Sequence, residues 1–124
     1  MLTQDDMEES VHWIIDNARA IGLARRKMIL SERMTERMKA VIMKRHIELP
    51  VGAQEREAKA SDEMHQAYID EANAAGEFEY LRSLRDAHMA RIEAWRSLES
   101  TARALTRTSA PAQEDNNAPP PSYR

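Results

Sequence analysis

The sequence predicts an all-α fold: a long antiparallel helical hairpin, coiled-coil-like and self-associating, with a disordered C-terminal tail. Three observations carry this expectation. Apolar residues recur at spacings of three and four in two long runs, the periodicity of one helix face. One Pro/Gly mark, Leu49-Pro50-Val51-Gly52, separates the runs. Composition favours helix over sheet, since 31% of the 124 residues are charged and glycine occurs only as Gly22, Gly52 and Gly76.

The first helix is expected over about residues 4–46. Thr3 is placed as its N-cap, with Asp6 three residues on giving an imperfect capping box and acids filling the first turn. Its apolar stripe reads Met7, Val11, Ile14, Ala18, Ile21 and then, after a small phase shift, Met28, Met34, Met38 and Val41. Gly22 interrupts the run and marks either a kink or a close helix contact. A turn over residues 47–60 follows, where Pro50 disfavours helical geometry at Leu49 and Gly52 permits the bend. Within it, residues 53–60 read either as helix or as a charged connector.

Ser61, followed by Asp62 and Glu63, is a good N-cap for a second helix over about residues 61–107. Its stripe runs Met64, Tyr68, Ala72, Ala75 and then Leu81, Leu84, His88, Ile92, Trp95, Leu98, Ala102, Leu105. His88 falls in that stripe, where a hydrogen-bonded, partly buried histidine is expected. Antiparallel pairing would bring Trp13 and Trp95 to the same end, in ring contact. Residues 108–124 hold four prolines and no aliphatic side chain larger than Ala, so nothing offsets the entropy of ordering them. With six aromatic residues in the chain, a thin seam suits the composition better than a globular core.

Charge is segregated. Residues 19–45 carry a net +7 and residues 55–80 a net −6, and an antiparallel hairpin would set these blocks side by side. The alternative is functional. Arg19, Arg26, Arg33 and Arg37 recur at spacings of seven and four, with Arg25, Lys27, Lys39 and Lys44 nearby, and a cationic stripe along a rod can track a phosphate backbone or meet an acidic partner. Met28, Met34 and Met38 do not all fit one seam with Met43, which offers an oligomer or partner face.

Other chemistry is thinly represented. There is no cysteine, hence no disulfide, thiolate or Cys-zinc site. No run approaches a membrane span, and the acidic N-terminus is unlike a signal peptide, so a cytoplasmic location is expected. Glu9-x-x-His12 and Asp62-x-x-His65 have the acid–histidine spacing of carboxylate-bridged metal bundles, but the further inward carboxylates such a site needs are missing, and no metal or cofactor is expected. No phosphate loop, zinc-protease helix or nucleophile elbow occurs, so a non-enzymatic role is expected. Pro120-Pro121-Ser122-Tyr123 matches a short polyproline pattern read by WW domains, and is taken as part of a flexible terminus.

Three stretches, residues 49–58 (LPVGAQEREA), 81–85 (LRSLR) and 90–96 (ARIEAWR), together resemble small helical proteins encoded by tailed bacteriophages and prophages. The likeness covers roughly residues 5–105. It implies a phage context, inside a host cytoplasm, beside genes of DNA recombination or replication, and assigns no residue. The expected function is therefore a helical adaptor or accessory in DNA metabolism, self-associating, with a phage or host protein or non-specific nucleic acid as partner. The alternative is a virion structural or assembly component.

Overall fold

A computed structural model describes the backbone of residues 1–117 and the side chains of residues 1–108. Among the described residues the chain is all-helical, with α1 over Gln4–Arg45, α2 over Val51–Ala60 and α3 over Asp62–Asn117, and no strand. The second helix, expected to end near residue 107, runs on to Asn117, so residues 108–117 of the expected tail are helical, while the rest of it, with the Pro-Pro-Ser-Tyr pattern, lies outside the described residues.

The start of α1 is built by local hydrogen bonds. The Thr3 hydroxyl accepts from the Asp6 amide at 3.2 Å, and the Thr3 amide donates to Asp6 Oδ2 at 2.9 Å, a complete reciprocal capping box. Lys44 and Arg45 stand in the last turn, where cations complement the helix dipole. Gly22 and Gly76 sit inside unbroken helices with negative φ, and a Cβ built at either meets nothing within 4 Å. The close contact expected at Gly22 does not occur, and α1 runs through it without a break.

The expected turn over 47–60 contains a helix. Only residues 46–50 are non-helical before α2 begins, because Pro50, lacking an N–H and fixed near φ −59°, forms a ready helix start. Gly52 lies in the first turn of α2 and supplies no left-handed bend. Ser61 separates α2 from α3. Its hydroxyl donates to the Ala58 carbonyl at 2.7 Å and accepts from the Met64 amide at 3.2 Å, so one side chain closes one helix and caps the next.

One line of buried and half-buried positions of α1 alternates by three and four: Met7, Ser10, Ile14, Asn17, Ile21, Ala24, Met28, Ser31, Thr35, Met38, Ile42, with Asp6, Val11, Trp13, Lys39 and Met43 half-buried on its flanks. The phase shift expected after Ile21 is absent. Reading only apolar residues substituted Ala18, Met34 and Val41, which are exposed, for the small polar residues that face α3. Those polar groups are satisfied inside the seam. Asn17 donates to the Trp13 carbonyl at 2.9 Å, and Thr35 donates to the Ser31 carbonyl at 2.9 Å and reaches the Ala67 carbonyl of α3 at 3.5 Å.

The facing stripe of α3 is Met64, Ala67, Glu71, Ala74, Phe78, Leu81, Arg85, His88, Ile92 and Trp95, again at three and four. Tyr68 and Ala72 are exposed instead of buried. Leu98 and Ala102 continue the apolar pattern but are also exposed, since α3 runs on beyond the start of α1. Pairs of residues in contact between α1 and α3 run in opposite directions along the chain: Arg45 with Glu63, Thr35 with Ala67, Ser10 with His88, and Asp6 with Arg91. The best-buried cluster lies at the turn end, where Ile42 of α1, Ala58 of α2 and Met64 of α3 meet, with Met38 and Met43 packed against them.

Candidate functional site

Positions on α1 follow from its seam. With Ile21 and Ala24 turned to α3, residues 19, 26 and 33 fall on the opposite, outer line of the helix at seven-residue intervals, about 10 Å apart. Arg19, Arg26 and Arg33 occupy that line and all are exposed. Arg25, Lys27, Arg37 and Lys44 flank it, also exposed, while Lys39 is half-buried beside the seam. Arg19, Arg26 and Arg33 thus form a ridge that starts one turn after Asp16, with four flanking cations carrying positive charge roughly 38 Å along α1 to Lys44 and with Lys39 off the ridge.

The acidic block of α3 does not neutralise this ridge. Among the described residues two ion pairs join α1 to α3: Arg45 to Glu63 at 2.7 Å and Asp6 to Arg91 at 3.0 Å. Arg33 pairs locally with Glu36 at 3.3 Å while its side chain stays 73% exposed. The expected side-by-side pairing of charge blocks therefore reduces to one contact at the turn. The remaining α3 ion pairs stay within that helix: Glu79 with Arg82, Arg85 with Asp86, Glu93 with Arg96.

Both inter-helix pairs have electrostatic consequences. The Thr3 amide, then its hydroxyl, hold the Asp6 carboxyl below its ordinary pKa, with Arg91 adding to the effect. The hydrogen bond from Arg45 lowers the Glu63 carboxyl and raises the Arg45 guanidinium in return.

A polar layer crosses the seam at the other end. Ser10 is fully buried, its Oγ lies 2.9 Å from His88 Nδ1, and it accepts from Arg91 Nη1 at 3.4 Å. Trp13 stacks on His88, with ring centroids 4.5 Å apart and 23° between planes. Trp13 therefore packs on His88 and not, as expected, on Trp95. Levels on the two helices explain it: Trp13 stands level with His88, and Trp95 lies seven residues, almost two turns, further along α3. The layer is a packing and register device of satisfied groups, and no described buried side-chain N or O lacks a hydrogen-bond partner.

The three methionines expected on one face divide. Met34 is 57% exposed, whereas Met28 and Met38 are half-buried in the seam and Met38 packs on the turn-end cluster. Sequence reasoning missed an open groove of about 710 Å³ alongside Met34. Leu23, Leu30 and Met34 of α1 form its apolar rim, Ser31, Thr35 and Met38 its floor, and Glu63, Gln66 and Asp70 of α3 its far wall. The seven-residue spacing of Leu23 and Leu30 was the available signal, hidden because both lie off the seam.

Glu9 and His12 are exposed on the acidic end of α1, and His65 is exposed on α3. Among the described residues no three His, Asp or Glu side chains gather as metal ligands would. No described helix is long and apolar enough to cross a membrane. Compared with known proteins, the chain matches no family model, no curated protein and no solved structure.

Proposed function

We propose that the protein is a non-enzymatic helical adaptor whose α1 ridge docks on the phosphates of a nucleic acid, an accessory to DNA recombination or replication of the kind the phage resemblance implies. In this reading α1 and α3 form an antiparallel, coiled-coil-like hairpin, and the hairpin self-associates. The opposite running of the α1–α3 contacts and their uninterrupted three–four spacing support the hairpin. The observation that carries the function is the exposed cationic line Arg19–Arg26–Arg33, which α3 leaves without an inter-helix acid. A solvated structural face would need no such alignment, and a hairpin-pairing device would place these bases against the acids of α3.

A ridge of this kind contacts backbone and not base edges, so binding is sequence-tolerant and salt-sensitive. The acids Asp5, Glu8, Glu9 and Asp16 repel phosphate at the first turns and set where contact begins. The test is fluorescence anisotropy with single- and double-stranded oligonucleotides across a salt series. Binding that weakens steeply with salt, and at least about tenfold in Arg19→Glu/Arg33→Glu, is expected for two lost phosphate contacts. No binding at low salt, or equal binding by the variant, refutes the proposal and turns the search to a virion or protein partner.

A further inference from the structure

We infer that the groove beside Met34 is the seat of a second copy of this chain, joined by a two-fold axis parallel to the helices, giving a four-helix assembly. The inference rests on the hairpin reading but not on nucleic-acid binding. The need for a cover comes from burial: among the described residues six hydrophobic side chains are buried, three of them alanines, while fifteen large hydrophobics are exposed. A seam this thin stabilises a lone hairpin weakly. Leu23, Leu30, Met34 and Val41, 41–57% exposed, recur along one side of α1 at the spacing by which a helix packs on a neighbour.

Charge selects the occupant. One wall of the groove is basic, with Arg26 and Lys27 of α1, and the other acidic, with Glu63 and Asp70 of α3. Such a groove complements itself. A two-fold axis along the helices lays α1 of one copy over α3 of the other, so Lys27 of each copy faces Asp70 of the other, and the contact is made twice. The other face-to-face arrangement, α1 over α1, sets one net +7 segment against another and is disfavoured. From Leu23 to Val41 the strip is about 27 Å long and, two helices wide, roughly 20 Å across, which gives about 1,100 Å² over both copies, within reach of a stable interface. Arg19 and Arg33 remain on the outer line, clear of this face.

The test is mass in solution by light scattering and sedimentation for the full chain and charge variants. Twice the chain mass is expected for wild type. Lys27→Glu and Asp70→Lys each weaken the dimer about tenfold, because each sets two like-charged contacts across the interface. Mixing the two variants in equal amounts restores dimer, since both cross-contacts of the mixed pair are again of opposite sign. Leu30→Asp gives monomer. Should Leu30→Asp lose helicity, the charge variants, both on exposed positions, decide alone. A monomeric wild type, or a dimer indifferent to the charge variants or not rescued by mixing, overturns the inference. An intrachain Thr35→Cys/Ala67→Cys crosslink in the same samples shows whether the hairpin itself stands when the dimer fails.

Discussion

Met64 is the largest fully buried side chain among the described residues, and truncating it probes what joins all three helices. It is 0% exposed and contacts Ile42 and Ala58, with Met38 and Met43 beside it. Met64→Ala removes three heavy atoms, about 2 kcal/mol of transfer free energy, and leaves a cavity that adds roughly another 1 kcal/mol. Two flexible methionines line that cavity and relax partly into it, which keeps the loss near 3 kcal/mol and away from the upper end of such substitutions. For a chain of this length the midpoint of thermal unfolding falls by roughly 12 °C. Urea unfolding followed by circular dichroism, at fixed protein concentration, measures it against Met89→Ala, whose parent side chain is 51% exposed. A loss under about 1 kcal/mol, or one equal to that of Met89→Ala, would refute the assignment of this cluster as the core.

Three further outcomes follow from the geometry. Gly22→Ala and Gly76→Ala each stabilise by about 1 kcal/mol, because both sites are exposed helix interiors with open space for a Cβ; a raised thermal midpoint checks this, and destabilisation would mean that something closes on those faces. Asp6 and Glu63 have lowered carboxyl pKa values in the fold, so their contribution is present above the ordinary carboxyl range and lost as pH falls through the folded values. Urea midpoints measured from neutral to acid pH should therefore drop less steeply in Asp6→Asn than in wild type, and an unchanged slope would deny Asp6 its part. Ser10→Ala costs about 1–2 kcal/mol, since it strips a hydroxyl from the buried contact with His88 and Arg91; a neutral substitution would show that the polar layer contributes no stability.

Fold class was legible because helical periodicity, the Thr3–Asp6 box and the Ser61 cap are local signals. The seam was legible only where it is apolar. Ser10, Asn17, Ser31 and Thr35 look like surface residues in a hydropathy pattern, yet they face α3, and neighbouring carbonyls and side chains satisfy Ser10, Asn17 and Thr35. The inserted phase shift was the cost of reading polarity as exposure. The α2 helix was half legible, since its Ala, Gln, Glu and Lys residues are helix formers but Pro50 and Gly52 also spell a turn. Which cation lies on the outer line and which beside the groove depends on the rotation of α1 about its axis, and a wrong seam rotates every other face with it. The partner of Trp13 depended on the level at which α1 meets α3, fixed by the length of the connection through α2.

Every reading of the outer faces depends on which residues the two long helices turn toward each other. Native cysteine is absent, so a single engineered pair reports this without interference. The Thr35 hydroxyl lies 3.5 Å from the Ala67 carbonyl, so these two positions face each other at one level of the seam. Oxidised Thr35→Cys/Ala67→Cys should form one crosslink within each chain, seen as a compact band in non-reducing denaturing electrophoresis. Thr35→Cys/Ala74→Cys, displaced by one heptad or about 10 Å, should not. Crosslinking of the second pair instead of the first, or of neither, would contradict the register on which the cationic ridge and the groove are both placed.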